Sequence, residues 1–278
     1  MSTSNHPQHL EPSKLGTKEY WDNLYTNELS NHAADPSDIG TVWFDDSDAE
    51  TKILDFLEHH FPPETLRRDE TSFLDLGCGN GSLLLSLRYG KQDDDEEDSE
   101  DEEGDVEQDQ QSKAQRKPWT GRFLGVDYSP QSVAFARQIA SSRGLSENIT
   151  FEEWDVLAGP FETVLNGPQT YGWDVVLDKG TFDAISLNSE TDAAGRRPCE
   201  GYCDRVRQLV RPGGYFIITS CNWTEPELRA WFEEPGASGG FVVDGRVEYR
   251  TFSFGGVKGQ TITTLCFRKN GSHSADVE

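Results

Sequence analysis

The sequence predicts an α/β fold: a mostly parallel, doubly wound sheet with helices on both faces and an antiparallel hairpin closing the chain. Three observations carry this. Apolar segments of strand length alternate with helical patterns from about residue 72 to residue 220, and such alternation means parallel strands joined by crossover helices. The first strand, Phe73-Leu74-Asp75-Leu76, runs into Gly77-Cys78-Gly79-Asn80-Gly81, with glycine at alternate positions ahead of an apolar helix. Two β-rich segments, Phe241 to Phe254 and Thr261 to Arg268, flank Gly255-Gly256-Val257-Lys258-Gly259-Gln260, which reads as a hairpin connection.

The elements follow in order. Residues 1–16 are polar, with two prolines and two histidines, and are expected to form a disordered tail. Tyr20, Trp21, Leu24, Tyr25 and Leu29 recur at helical spacing and predict a first helix. A second helix is expected to start at Ser47, with Glu50 completing a capping box, and to continue through Ile53, Phe56 and Leu57. Strands are expected at about 72–76, 122–127, 149–154, 173–178 and 214–220, with helices near 81–89, 130–143 and 200–210. The folded domain covers 17–268, and 269–278 is expected to be a second disordered tail.

One segment does not belong to this pattern. Residues 91–117 are polar, and 93–109 hold 13 acids and no base. Such a block buries no apolar area and repels itself, so a disordered surface insertion is expected, either a tolerated loop or a lure for a basic partner. About half of the net charge of −25 remains on the rest of the chain. That acidity argues against nonspecific binding to nucleic acid or to an anionic membrane. The chain starts without a basic segment followed by an apolar one, and no apolar run approaches the ~20 residues that span a bilayer. Five cysteines at irregular positions do not form a disulfide framework, so a cytoplasmic or nuclear protein with free thiols is expected. Cys199 and Cys203 have no histidine or third cysteine nearby, and packing rather than metal binding is expected of them. His6, His9, His32 and His273 fall in polar terminal regions, and His59 and His60 close a helix.

The glycine loop is the strongest chemical signal. Glycine permits positive φ and close approach of the backbone to a ligand, and the following helix presents its positive end. Dinucleotide loops have the spacing G-x-G-x-x-G, whereas here Ser82 stands at the last of those positions. Asp75, two residues ahead of the first glycine, suits a cofactor with a positive group, such as the ammonium and sulfonium of S-adenosyl-L-methionine. A tight structural turn is the plain alternative. A second strand ends in Asp127-Tyr128-Ser129-Pro130. In nucleotide-binding α/β folds an acid about 20 residues past the glycines holds the ribose hydroxyls. Asp127 lies 46 residues after Gly81, but 27 of these belong to the insertion, which leaves 19.

With these motifs in order, residues 70–268 resemble the class I S-adenosylmethionine-dependent methyltransferases. The resemblance implies a Rossmann-like seven-stranded sheet. Asp75, Gly77 and Gly79 would belong to its first motif, and Asp127, with Tyr128 beside it, would bind the ribose. Trp154-Asp155-Val156 would flank the adenine, with Asp155 accepting from its amine. Asp178 lies where this family faces the methyl group, and Arg211-Pro212-Gly213-Gly214 matches the turn before strand five. Leu177-Asp178-Lys179-Gly180-Thr181-Phe182-Asp183-Ala184-Ile185 and Thr219-Ser220-Cys221-Asn222-Trp223-Thr224 are similar to the subgroup that methylates lysine on translation elongation factor 1-alpha. Tyr20-Trp21-Asp22-Asn23-Leu24-Tyr25 and Gly40-Thr41-Val42-Trp43-Phe44 resemble the segment that covers the cofactor there, which makes Trp21 a cofactor-binding candidate.

The implied reaction is in-line methyl transfer to a neutral lysine amine. Free lysine, with pKa about 10.4, is neutral on the order of once per thousand molecules at neutral pH. An apolar aromatic slot lowers that pKa, and aromatic faces hold a methylated ammonium. Tyr20, Trp21, Trp43, Phe182 and Trp223 are the candidate slot residues, with core packing as the alternative for each. Asp178, Trp223 and Phe182 are the catalytic candidates, and Asp178 would either orient the amine or cap a strand end. No metal ligands are expected, and the enzyme is expected to act as a monomer on a protein substrate, elongation factor 1-alpha. The alternatives are a methyltransferase for another protein or a small molecule, and a non-catalytic adaptor using the acidic insertion.

Overall fold

The computed structural model describes residues 6–89, 116–234, 236–250, 252–254, 257–259 and 261–271. Five parallel strands, β1 (Phe73–Leu76), β2 (Phe123–Asp127), β3 (Thr150–Glu153), β4 (Trp173–Lys179) and β5 (Val210–Ser220), lie in the order β3-β2-β1-β4-β5. The sheet continues through the last strand, β9 (Thr263–Lys269), to β6 (Phe241–Val247) at its edge. Because β9 pairs antiparallel with both neighbours, it is the one reversed strand of the seven. The stretch joining β6 to β9 carries its own small antiparallel pair, β7 (Phe252–Phe254) with β8 (Val257–Gly259). The expected terminal hairpin is therefore β6 with β9, and part of its expected connection is itself a strand.

Successive strand residues point to opposite faces, and both faces here are apolar. On one side α1 (Lys18–Ala34), α2 (Ala49–His59), α3 (Ser82–Tyr89) and α4 (Pro130–Ser142) bury Tyr25, Ile53, Leu84 and Phe135 with Phe73, Phe123, Val175 and Ile217. On the other, α5 (Thr181–Ser186), α6 (Pro198–Leu209) and α7 (Glu225–Phe232) bury Phe182, Tyr202, Leu228 and Phe232 against Leu74, Leu124, Val176 and Phe216. Two-sided burial explains why the central strands read as continuous apolar runs.

Several boundaries differ from expectation. Ser47 and Glu50 do not form a capping box: Asp48, at φ 53°, precedes α2 without a side-chain cap. Glu50 is drawn away by Ser82, whose hydroxyl donates to it, and by Lys179 at 3.4 Å. Residues 6–16 are packed rather than loose. The Leu10 carbonyl accepts from Arg197 Nη1 at 2.7 Å, the Ser13 amide donates to the Leu187 carbonyl at 3.1 Å, and His6 stacks on Trp231 at 4.5 Å. Polar composition hid this because backbone carbonyls supply most of the anchors. His32 is likewise buried, bonded through Nδ1 to the Asp38 carbonyl at 2.7 Å. At the other end, Lys269 belongs to β9, its ammonium donating to the Arg207 and Val210 carbonyls. The expectations for residues 1–5, 91–115 and 272–278 lie outside the described residues. Cys199 and Cys203 are buried thiols of α6, as packing requires. Among the described residues no helix is long and apolar enough to cross a membrane, and no cluster has the makings of a metal site.

Candidate functional site

Parallel strands deliver their carboxyl ends to one edge of the sheet, and there a cleft opens. The chain turns sharply out of β1 through Gly77, Gly79 and Gly81, at φ 63°, 56° and 78°. A side chain is excluded at the first two on a second ground. A Cβ on Gly77 would stand 2.1 Å from Thr181 Oγ1, and one on Gly79 would stand 2.7 Å from the Tyr25 hydroxyl. Next along the sheet, Asp127 ends β2, its carboxylate accepting the Gly79 amide at 3.2 Å and the Ser129 amide at 2.9 Å. Burial raises its pKa against the pull of those donors. Beyond β3, Asp155 accepts the Leu157 amide at 2.8 Å, and the Val156 carbonyl accepts Arg205 Nε at 2.7 Å. Trp21 closes the cleft from α1, with its indole nitrogen donating to the Leu15 carbonyl at 2.7 Å and its ring edge-on to Trp43 at 5.3 Å.

Of the expected cofactor-binding residues, Trp21, Gly77, Asp127, Tyr128, Asp155 and Val156 line this one cleft. Asp75 and Gly79 stand behind the wall, on β1 and in its loop. Asp75 is informative for another reason. It is buried, yet among the described residues no donor hydrogen-bonds its carboxylate. Burial pushes its pKa up to about 8, with Lys179 pulling down and Glu50 pushing up. A buried acid under a glycine loop, with no hydrogen-bond donor of its own among the described residues, fits a ligand that brings a positive group, as S-adenosylmethionine does.

The expected catalytic trio is elsewhere. Asp178 faces inward, accepting the Thr181 amide at 2.8 Å, the Phe182 amide at 3.1 Å and the Tyr202 hydroxyl at 2.6 Å. It thus caps the first turn of α5, where free amides and the helix dipole favour an anion. Burial still raises its pKa to about 7. Phe182 is fully buried, its ring 5.3 Å from Tyr202, 6.0 Å from Trp223 and 5.0 Å from Phe232. Trp223 is buried as well, donating to Ser186 Oγ at 3.2 Å. These three are buried: Asp178 at the end of β4, Phe182 on the inner face of α5, and Trp223 in the loop after β5. Tyr20 also stays off the cleft wall, edge-on to Trp21 at 5.2 Å, whereas Trp43 is on it.

Residues the sequence did not single out take their place at the β4–β5 end: Phe44, Lys179, Asp183, Cys221 and Asn222. Phe44 has φ 66°, rare for a bulky residue. Its ring lies against Gly180, where an added Cβ would be 3.3 Å away. Lys179 donates to the Trp43 carbonyl at 3.1 Å and pairs with Glu50 at 3.4 Å. Asp183 is 5 % exposed and accepts from the Ser220 hydroxyl, the Cys221 amide at 2.8 Å and the Cys221 thiol at 3.4 Å. An acid five residues after Asp178, in the same strand-to-helix turn, was the available signal.

Comparison with known proteins agrees with this geometry. A family model described as a methyltransferase domain matches residues 67–256. Protein-lysine N-methyltransferase EFM4 of Saccharomyces cerevisiae is 36% identical over 260 residues, covering 94% of this chain and 96% of the relative. EEF1A lysine methyltransferase 2 of Danio rerio is 33% identical over 259 residues, covering 93% and 89%. Among solved structures, magnesium protoporphyrin IX methyltransferase of Synechocystis PCC 6803, with bound S-adenosylhomocysteine, superposes with a TM-score of 0.51 at 14% identity, covering 91% and 97%. The cyclase SpnF reaches 0.54 at 15% identity, covering 96% and 100%, and both show the fold alone. The domain match and the near full-length relatives place the chain in the class I S-adenosylmethionine-dependent methyltransferase family, within the group of the EFM4 and EEF1A lysine methyltransferases.

Proposed function

We propose that the protein methylates a lysine of EEF1A, elongation factor 1-alpha, with S-adenosylmethionine as donor. The observation that carries this is the cleft itself. It joins the glycine loop and the acids of β2 and β3 at one end to an aromatic, acidic pocket at the β4–β5 end. The near full-length likeness to an enzyme named for that substrate supports the substrate.

The roles follow from position. Asp127 holds the ribose hydroxyls, and Asp155 with Val156 holds the adenine edge. Asp75, behind the wall under the glycine loop, supplies the negative charge that favours the ammonium, and Trp21 and Tyr128 cover the bound group. Bound S-adenosylmethionine supplies an already activated methyl group on a sulfonium, so the protein mainly positions the acceptor and keeps it neutral. Trp43 and Phe44 give an apolar wall that disfavours the charged amine by desolvation. The test is recombinant enzyme, S-adenosylmethionine and purified EEF1A, read by mass spectrometry. A mass gain on a lysine is expected. Methylation of arginine, RNA or a metabolite, with EEF1A untouched, retires the substrate reading and leaves the family assignment standing.

A further inference from the structure

The acids around the cleft separate by what already holds them. Asp178 accepts two amides and a phenol and does not line the cleft. Asp127 and Asp155 sit at the ends of β2 and β3, the nucleotide side. Asp75 lies under the glycine loop. Asp183 is different: it lines the cleft where β4 and β5 end. In a sheet ordered β3-β2-β1-β4-β5, the ends of β3 and β5 are four strand spacings apart, roughly 19 Å at ~4.8 Å each. The two ends therefore serve different parts of the reaction, and the β5 end is free for the acceptor.

The Asp183 carboxylate is also held in advance. Ser220 Oγ accepts the Asn222 amide at 3.1 Å and the Trp223 amide at 2.9 Å. With its lone pairs taken, the hydroxyl proton is committed to Asp183. A carboxylate has about four acceptor sites. The donors on Asp183 are the Ser220 hydroxyl, the Cys221 amide and, in part, the Asn222 amide, with the Cys221 thiol the weakest at 3.4 Å. An incoming amine would take the place of the thiol. Across the same pocket Phe44, held at φ 66° over Gly180, offers a flat apolar face for an alkyl chain. Strained aromatic backbone of this kind persists where surrounding structure enforces it, and such sites cluster at ligand clamps.

We propose that Asp183 orients the acceptor lysine by accepting a hydrogen bond from its amine, with Phe44 as the wall along its alkyl stem. This rests on the lysine-methyltransferase reading and names the residues of its acceptor slot. Asp178, Phe182 and Trp223 serve only to brace α5 and the β5 loop behind it.

The test is a double-mutant cycle read as binding, without turnover, in the presence of S-adenosylhomocysteine. One side is Asp183→Asn; the other replaces the modified lysine of EEF1A by methionine. Asp183→Asn is expected to weaken native EEF1A at least tenfold and the methionine form less than twofold, with S-adenosylhomocysteine affinity unchanged. Equal weakening of both forms, or of neither, overturns the assignment. A second measurement does not depend on the variant folding or on EEF1A being the substrate. Crystals of the native enzyme with S-adenosylhomocysteine are soaked in n-butylammonium, the end of a lysine side chain. The nitrogen is expected within about 3 Å of an Asp183 oxygen. Nitrogen against another carboxylate, or no bound amine, overturns it. Native enzyme that fails to bind EEF1A yet seats butylammonium on Asp183 would sink the substrate and keep the slot.

Discussion

The Tyr202 hydroxyl donates to Asp178 at 2.6 Å, tying α6 to the end of β4 directly beneath the candidate site. Both groups are buried, and the phenol counts among the donors that keep the carboxylate from rising further. The pair braces the end of β4 behind the cleft wall. Tyr202→Phe should therefore cost stability on the order of 1–3 kcal/mol by leaving a buried acid without its donor. Affinity for S-adenosylhomocysteine should stay within a few-fold. A lowered thermal midpoint with intact cofactor binding is the expected pair of readings. Lost methyl transfer at unchanged stability would return Asp178 to the chemistry.

A pH dependence of folding follows from Asp75. It titrates at about 8 in the folded protein and near 3.9 in an unfolded chain. Between those values the folded state holds a proton that the unfolded state has lost. The stabilising contribution is full below ~4 and is lost as pH climbs through 8. Asp178, at about 7, has the same sign. Asp75→Asn should gain stability relative to the native protein as pH rises from 5.5 to 8.5, by up to on the order of 1 kcal/mol per unit. Urea midpoints across that range read it. A difference that stays flat or narrows would place Asp75 beside a cation in the free protein.

The same carboxylate couples cofactor binding to protons. A ligand ammonium beside Asp75 favours its charged form, so binding should release a proton on the acid side of 8. Calorimetry with S-adenosylhomocysteine should give affinity that rises from pH 6 to 8 and an enthalpy that changes with the buffer's ionisation heat. No buffer dependence would remove Asp75 from the ammonium.

Two substitutions test the rest of the cofactor end. Asp127→Ala should weaken S-adenosylhomocysteine by about 1–3 kcal/mol through lost hydrogen bonds to a buried ribose, while NAD should not bind at all. Gly77→Ala should impair binding and folding together, because φ 63° strains any side chain and Thr181 occupies its space. Adding Thr181→Ala relieves only the clash, so rescue should be partial. Full rescue would show that sterics rather than backbone conformation require the glycine.

Deletion of residues 91–115 should leave the thermal midpoint nearly unchanged when Gly90 is joined to Arg116 through a short glycine linker. Arg116 is kept because it pairs with Asp55 and, at 3.8 Å, with Glu58 on α2. Failure of the shortened chain to fold would make the acidic block structural.

The parallel strands, the glycine loop, Asp127 and Asp155 were legible in the sequence because each is local. A strand that ends in an acid or a turn of alternate glycines is written in consecutive residues, and its backbone demands do not depend on partners far away. The capping box at Ser47 failed for the opposite reason: Ser82 and Lys179, remote in sequence, compete for Glu50. So did the nomination of Asp178, Phe182 and Trp223. Residues 178 to 183 span a strand end and just under one turn of helix, and helical rotation alone does not say which of two acids lines the cleft. Packing against Tyr202 and Phe232 decided it, drawing Phe182 and Asp178 into the core and leaving Asp183 on the cleft. The sequence by itself determined the family, the cofactor and the positions of the parallel strands along the chain, whose signals are covalent neighbours. Only the tertiary structure decided which side chains line the cleft, since that depends on how α5 packs against elements distant along the chain.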